Sequence, residues 1–574
     1  MSRIKRKASK QKSFFFKDYL ESENVLHNVV DKSLKIIPNR VTFLFYIFLS
    51  LILIFSIKLI YLSLFPEKNL SLEKINKNFI KKRADIIDRN GVILARNIDL
   101  YSAGIRTKLV KDKKKLLINL RLIFPYLDSE AIEKQLNNKN FFYIKRRLTD
   151  EERTKLWLLG DKSIVFEKKQ IRIYPQKDLL SHVLGQIDDN NNGISGLEKF
   201  FDKRLKSEKN VNSSLKLTID SNLQHLIKEE LKNAKKDFNQ VGSAAVLMDV
   251  NSGEILSMVS LPDYDLNKRQ SIKEDVYTNK ITKGVYELGS VFKTFTLAAG
   301  LERKVIEKDT IFKDLEDKIY CAGRKITEHD KLPKNLSAEQ ILIRSSNIGS
   351  IRIAQKIGIE SYSNFLNSLD LFKKIKFDLE EIGTPLSFRW GKCKLATASF
   401  GHGITTTPIQ LANAYAIISN GGFKIKPTIL SKDSNFYKVN KKERIISQKT
   451  SATINSILRK VVEKKEGTAN FANIAGYEVG GKTGTALKSI GGVYSKKKLN
   501  TFVSIFPTSK PKYVLLVILD EPKPAPNYVY EFPNGYKHKG EMRNTSGWNT
   551  VVVAGKIIEK IGPILAINNL QASK

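Results

Sequence analysis

A long apolar run covers residues 41–65, with the sequence VTFLFYIFLSLILIFSIKLIYLSLF. These 25 residues contain one charged side chain, Lys58, and a helix that crosses a bilayer needs about 20 residues. A buried core helix is the alternative, but few core helices are this long and this apolar. A cleaved signal peptide is disfavoured, because forty residues precede the run and no small-x-small motif follows it. The pattern predicts one transmembrane helix over residues 41–65.

The residues before this run are basic. Residues 1–40 contain ten Lys and Arg against four Asp and Glu. Because positively charged flanks stay on the cytoplasmic side of a membrane, we expect residues 1–40 to form a cytoplasmic tail. Every residue after 65 is then expected on the outer side.

The apolar positions that follow predict mixed α and β structure. Residues 83–95 (RADIIDRNGVILA) predict a strand–turn–strand, and residues 110–160 have helical spacing without a chemical motif. Residues 215–234 predict a strand followed by an amphipathic helix. Residues 243–260 predict a β-hairpin with its turn at Asn251–Gly253.

A change in character near residue 210 predicts a domain boundary, as 574 residues are too many for one ordinary domain. We expect one extracytoplasmic domain over residues 66–210, a second over 211–566 and a short tail over 567–574.

The composition narrows the possible partners. A net charge of +39 is compatible with a nucleic-acid or anionic-surface ligand. Lys, Asn and Ile are all abundant, however, which favours compositional drift, and no nucleic-acid recognition motif is present. We predict no nucleic-acid partner, no metal and no cofactor. The two cysteines, Cys321 and Cys393, are too few for a disulfide framework, so two free buried thiols are favoured, although pairing stays open.

Three short strings carry the candidate chemistry: Ser290-Val-Phe-Lys293, Ser345-Ser-Asn347 and Lys482-Thr-Gly-Thr485. None is specific alone, since S-x-x-K also fits Ser9–Lys12 in the basic tail, for example. Order, spacing and local context single out these three. Ser290 opens a predicted helix, whose N-terminus favours developing negative charge at a nucleophile.

The residue types fit serine acyl transfer. Lys293 lies one helical turn after Ser290 and is the candidate base, provided that burial or a nearby cation such as Lys482 lowers its pKa. Ser345 and Asn347 are candidates for moving the leaving-group proton and holding a substrate amide. Alone, Ser-Ser-Asn is more typical of a helix N-cap.

Residues 482–485 are predicted to lie on a strand. Thr483 and Thr485 suit a substrate carboxylate, Gly484 lets a substrate backbone approach, and the backbone N–H groups of Ser290 and Thr485 would form an oxyanion hole. The segment from Gly476 to Thr483 also matches a phosphate-binding loop, but no helical pattern follows it.

Together the three strings resemble the active site of penicillin-binding proteins and serine β-lactamases. Other segments resemble class B penicillin-binding proteins, and the last is similar to the ending of division-specific, FtsI-type members. These segments are DRNGVILA (88–95), RIYP and HVLG (172–185), GISGLEKFFD (193–202), LTID (217–220), GEILSMVSLPDYDLN (253–267), SFGHGITTTPIQLANAYAIISNGG (399–422) and GWNTVVVAGKIIEKIGPIL (547–565). One departure is Leu288, where the family usually has proline.

The resemblance implies an α/β (α+β) penicillin-binding transpeptidase fold, with an antiparallel sheet flanked by helices, an elongated N-terminal pedestal and one transmembrane helix. It implies a septal D,D-transpeptidase that cross-links peptidoglycan stem peptides and is acylated by β-lactam antibiotics at Ser290. It implies a single-pass inner-membrane protein with a periplasmic catalytic domain. A membrane glycosyltransferase and other divisome proteins are the expected partners, because no polymerising domain fits before residue 210.

Three alternatives remain at this point. An elongation-specific transpeptidase would use the same chemistry at the lateral wall. A serine β-lactamase or β-lactam sensor would share the three strings, but would need neither an anchor nor a pedestal. A scaffold with an inactive site is disfavoured by the intact motifs.

Overall fold

A computed structural model of the chain describes residues 37–64, 83–207, 213–268, 274–431, 443–532 and 535–572. Most of the predicted cytoplasmic tail therefore lies outside the described residues. The chain divides into two compact units, residues 1–80 and 81–574, which are described separately.

In the first unit the apolar run forms one continuous helix, α1 (Ile37–Leu64). Its segment Thr42–Tyr61 has a mean hydropathy of 2.5, and none of this segment is buried against protein. By length and composition, the helix fits the predicted membrane span.

The second unit begins with the predicted strand–turn–strand. Strand β1 (Ile86–Ile87) pairs antiparallel with β2 (Ile93–Arg106). The Asp88 carboxylate closes the turn by accepting hydrogen bonds from the backbone N–H groups of Asn90 and Val92, both at 2.8 Å. This is the local reason why Asp88-Arg-Asn-Gly91 folds back on itself.

The long strand β2 is the centre of the domain predicted over residues 66–210, called the pedestal below. It pairs antiparallel with two further strands. Strand β1 pairs parallel with a short strand that leads into the next domain. These strands are β3 (Phe141–Leu148), β4 (Ile164–Ile173) and β5 (Leu215–Lys216). The pedestal helices are α2 (Lys113–Ile123), α3 (Ser129–Asn138), α4 (Asp150–Leu158), α5 (Ser181–Leu184), α6 (Gly196–Phe200) and α7 (Asp202–Leu205).

The pedestal has two cores. Its outer part, which includes α2, α3 and α4, packs around its own cluster of apolar residues, such as Leu116, Leu120 and Phe124. Its inner part joins the large core of the following domain, to which Leu94, Leu184 and others contribute.

A buried ion cluster ties three pedestal segments together. The Glu198 carboxylate accepts from Arg83 Nε at 2.5 Å and from Arg172 Nε at 2.7 Å, and all three side chains are shielded from solvent. Arg83 also donates to Asp202 at 2.7 Å. Buried charges are tolerated only when they are paired, so the three segments are held in one arrangement.

The domain that follows is built on an antiparallel sheet with the strand order β12-β13-β14-β6-β7. Its strands are β6 (Gly242–Asp249), β7 (Ile255–Leu261), β12 (Gly480–Ile490), β13 (Val493–Phe506) and β14 (Tyr513–Asp520). β6 and β7 are the predicted hairpin. Strand β12, which carries Lys482, lies at one end of the sheet.

Two-stranded additions lie outside this sheet. They are β8 (Ile311–Phe312) with β11 (Leu336–Ser337), β9 (Lys318–Cys321) with β10 (Arg324–Thr327), and β15 (Ala525–Glu531) with β16 (Lys537–Glu541).

Helices pack on the sheet, which confirms the predicted fold class. The helices of this domain are α8 (Ser221–Phe238), α9 (Glu274–Tyr277), α10 (Lys293–Glu302), α11 (Ala338–Ile343), α12 (Asn347–Ile357), α13 (Ile359–Ser368), α14 (Lys392–Ala398), α15 (Pro408–Ser419), α16 (Gln448–Glu463) and α17 (Thr550–Ala572). Those that contact the strands of the sheet directly include α8, α15, α16 and α17. Helix α8 is the predicted amphipathic helix, with Leu223, Ile227 and Leu231 fully buried.

The expectation of two free thiols is wrong. Cys321, at the end of β9, forms a disulfide with Cys393 in α14, and 72 residues separate the two in sequence. The sequence alone does not reveal the pair, because only the packing of the β9–β10 hairpin on a small cluster around Ile351, Ala396 and Phe400 brings the thiols together.

Candidate active site

Ser290 lies in a single 3₁₀ turn, Gly289–Phe292, that leads directly into α10. Gly289 has φ +64°, and a Cβ there would lie 2.8 Å from the carbonyl oxygen of Thr485. Only glycine allows this turn and strand β12 to approach so closely. The Gly289–Phe292 turn and the 482–485 string are therefore direct neighbours, as the sequence predicted.

Lys293, the first residue of α10, is fully enclosed, with 1% of its surface exposed. Its Nζ donates to the Ser345 carbonyl at 2.5 Å, to the Ser345 hydroxyl at 3.2 Å and to Asn347 Oδ1 at 2.7 Å. The first and second strings are thus joined through the candidate base.

The two serines of the second string have different roles. Ser346 is the N-cap of α12, where its hydroxyl accepts from the Gly349 N–H at 2.9 Å. Ser345 instead has φ +60°, a conformation that non-glycine residues rarely adopt. The helix-cap interpretation therefore holds for Ser346, while Ser345 projects toward the two lysines.

The third string lies on β12, as predicted. Lys482 is completely buried, and its Nζ donates to Ser345 Oγ at 2.9 Å. The Thr483 hydroxyl pairs with the Thr468 hydroxyl at 2.9 Å, and the Thr485 hydroxyl accepts from the Ser546 N–H at 3.1 Å. Because Lys482 lies within a strand, the phosphate-loop interpretation, which needs a lysine at the start of a helix, is wrong.

Gly484 has a packing role besides the substrate role that the sequence predicts for it. A Cβ on this residue would lie 2.3 Å from the Leu288 carbonyl oxygen and 3.0 Å from Val291 Cγ1. The missing side chain makes room for the 289–292 turn that carries Ser290.

Burial sets the electrostatics of the two lysines. Desolvation lowers the pKa of Lys293 to about 7, against an opposing effect of Glu328. Desolvation and the neighbouring Lys293 lower the pKa of Lys482 well below its usual range. Of the two causes that the sequence analysis allowed, burial is the one that lowers the pKa of Lys293.

Among the residues that sequence reasoning missed are two whose side chains contact the motif side chains. Glu328 hydrogen-bonds to the start of α12, and Thr468 hydrogen-bonds to Thr483. Neither lies in a motif, and no local pattern marks them. Both are found only through contacts across the fold.

Comparison of the chain with known proteins identifies one class. The family model described as the penicillin binding protein transpeptidase domain matches residues 243–535, and the penicillin-binding protein dimerisation domain matches residues 81–237. The chain is 31% identical to a probable peptidoglycan D,D-transpeptidase FtsI of Caulobacter vibrioides, over 84% of this chain and 82% of that protein. It is 30% identical to stage V sporulation protein D of Bacillus subtilis, over 78% and 75% of the two chains.

Among solved structures, penicillin-binding protein 3 of Mycobacterium tuberculosis, complexed with aztreonam, superposes with a TM-score of 0.64. The identity is 22%, and the match covers 85% of this chain and 96% of that one, so it supports the fold. The chain belongs to the penicillin-binding proteins, as a class B member of the FtsI type.

Proposed function

We propose that this protein is the septal peptidoglycan D,D-transpeptidase of its cell, with Ser290 as the nucleophile. The observation that carries the proposal is the convergence of Lys293 and Lys482 on the hydroxyl of Ser345, next to the Ser290 turn. Two buried amines with lowered pKa values next to a serine suit proton transfer during acyl exchange.

The reaction would proceed in two acyl transfers. Ser290 Oγ attacks the carbonyl carbon of a donor D-Ala-D-Ala amide, and the neutral amine of Lys293 takes the hydroxyl proton. The Ser345 hydroxyl and Lys482 deliver a proton to the departing D-Ala nitrogen, which leaves an ester on Ser290. The amine of an acceptor stem peptide then attacks this ester and loses its proton by the reverse route.

The remaining motif residues would position the substrate. Asn347 would hold a substrate amide, and Thr483 and Thr485 would bind its terminal carboxylate. The Thr485 hydroxyl accepts the Ser546 N–H, so its own proton is free for a substrate oxygen. The backbone N–H groups of Ser290 and Thr485 would stabilise the oxyanion, which the close approach of Gly289 to Thr485 supports. Gly484 would let a substrate backbone approach β12, and it would also allow β12 to pack against the turn.

β-Lactam antibiotics would acylate the same serine. The proposed topology is a single span with residues 1–40 in the cytoplasm and the domains 66–210 and 211–566 in the periplasm, followed by the tail 567–574. A membrane glycosyltransferase and divisome proteins are the proposed partners at the septum, where the glycosyltransferase would supply the glycan strands to be cross-linked.

Mass spectrometry of penicillin-treated protein tests the site. We expect one covalent adduct, on the peptide that contains Ser290, and none in the Ser290→Ala variant. An adduct on another serine would contradict the assignment. An adduct lost within seconds would favour the β-lactamase alternative, because a transpeptidase keeps its β-lactam ester.

Imaging of a fluorescent fusion tests the place of action. We expect the signal at midcell in dividing cells. A lateral-wall signal with none at midcell would favour the elongation role.

A further inference from the structure

The hairpin formed by β9 and β10 approaches the active site from outside the three motifs. The Cys321–Cys393 disulfide ties its turn end to α14, and its other end continues from Thr327 into Glu328. The Thr327 carbonyl accepts a hydrogen bond of 2.8 Å from Asn347 Nδ2, and Asn347 Oδ1 in turn accepts from Lys293. The hairpin is therefore two hydrogen bonds away from the candidate base.

The Glu328 carboxylate covers the N-terminus of α12. One oxygen accepts from the Ser346 hydroxyl at 2.6 Å and from the Ile348 N–H at 2.9 Å, and the other accepts from the Asn347 N–H at 2.7 Å. The first N–H groups of a helix have no partner within the helix, and their positive potential favours a carboxylate. These bonds hold Ser346 and Asn347, which directly follow Ser345.

Glu328 also acts on the charge of Lys293. Its carboxylate raises the pKa of Lys293 against the larger lowering effect of burial. Among the residues that the structure describes, Lys482, His329 and His402 also interact with Lys293, and desolvation lowers the pKa of each of them. The Glu328 carboxylate thus favours the protonated form of Lys293.

We propose that Glu328 is a positioning residue of the acyl-transfer site, which fixes the start of α12 so that Ser345 and Asn347 meet the amine of Lys293. This inference rests on the proposed acylation at Ser290. The hydrogen bonds of Glu328 go to the Ser346 hydroxyl and to the backbone N–H groups of Asn347 and Ile348, so it acts on the reacting groups through the start of α12.

The Glu328→Gln variant tests this role through the rate of acylation by a chromogenic cephalosporin, measured against pH. An amide offers one acceptor oxygen where the carboxylate offers two, so the start of α12 shifts. We expect acylation at the high-pH plateau to fall by about 10²-fold, the cost of a misplacement near 1 Å. Loss of the negative charge also lowers the pKa of Lys293, so the acidic limb of the profile moves to lower pH.

The Glu328→Asp variant separates position from charge. It keeps the carboxylate but withdraws it by one methylene, so we expect acylation to be slower. The acidic limb of the pH profile should stay at the wild-type pH, because the negative charge is kept. The matched control is Glu316→Gln, which removes an exposed carboxylate that pairs with Arg352, and it should acylate as the wild type does.

Two outcomes would overturn the inference. One is a folded Glu328→Gln protein with the wild-type rate and the wild-type acidic limb. If this variant does not fold, a Glu328→Asp protein that acylates at the wild-type rate has the same consequence. Failure of the wild-type protein itself to acylate at Ser290 would instead contradict the proposed function, so the two failures are distinguishable.

Discussion

Lys482 donates a hydrogen bond of 2.9 Å to the hydroxyl of Ser345. The same oxygen accepts from Lys293 at 3.2 Å, so one serine hydroxyl stands between two buried amines. A hydroxyl has two lone pairs and one proton, and it can accept from both lysines while its proton points elsewhere. This arrangement suits a proton relay from which water is excluded.

Replacement of Ser345 by alanine should break this relay. Without the hydroxyl, the two amines face each other with no group to pass a proton, and we expect acylation to slow by about 10²- to 10⁴-fold. Stopped-flow acylation with a fluorescent penicillin measures the rate. The control is Ser350→Ala, a buried serine of α12 that donates only to the Ser346 carbonyl, at 2.7 Å. Equal rates for the Ser345 variant and the wild type would exclude the relay.

The pH dependence of acylation should report Lys293. Burial lowers the pKa of Lys293 to about 7, and only the neutral amine accepts the proton of Ser290. We therefore expect acylation to be slow at low pH, to rise with a midpoint near pH 7, and to level off above it. A profile measured from about pH 5 to about pH 9 tests this. A rise that begins only near the ordinary pKa of lysine, about 10.4, would contradict it.

Gly484→Ala should disturb the contact between β12 and the turn that carries Ser290. The added Cβ would lie 2.3 Å from the Leu288 carbonyl oxygen, a backbone atom that cannot move alone. We expect a loss of about 1–3 kcal/mol in the free energy of unfolding, together with slower acylation. Gly391→Ala is the control, since a Cβ there meets nothing within 4 Å and the backbone is extended, with φ −177°. Unchanged melting and acylation of the Gly484 variant would refute the packing role.

Removal of the disulfide should lower stability. The bond closes a loop of 72 residues, for which the chain-entropy estimate is about 4 kcal/mol as an upper bound. We expect the Cys321→Ser/Cys393→Ser variant to unfold at a lower temperature than the oxidised wild type. Dithiothreitol should lower the melting temperature of the wild type and leave that of the double variant unchanged. If dithiothreitol affects neither protein, the two cysteines are not paired in solution.

Features carried by local pattern could be predicted from the sequence. The apolar run forms the helix Ile37–Leu64, as its length and apolarity predict without tertiary context. The β6–β7 hairpin and the helix α8 follow from alternation and helical periodicity, which act over a few residues. The order and spacing of the motifs around Ser290, Ser345 and Lys482 likewise predicted the class of chemistry and the family.

Contacts between distant segments could not be predicted from the sequence and are seen only in the tertiary structure. The Cys321–Cys393 bond, the turn beneath Gly484 and the carboxylate of Glu328 at the start of α12 join residues with no shared periodicity. The lowered pKa of Lys293 also depends on burial, which no spacing of residues expresses. The sequence alone thus determined the class of chemistry and predicted the side chains that carry it, because chemistry resides in residue types. The tertiary structure decided how those side chains are arranged and charged, because distance and desolvation arise only when the chain packs.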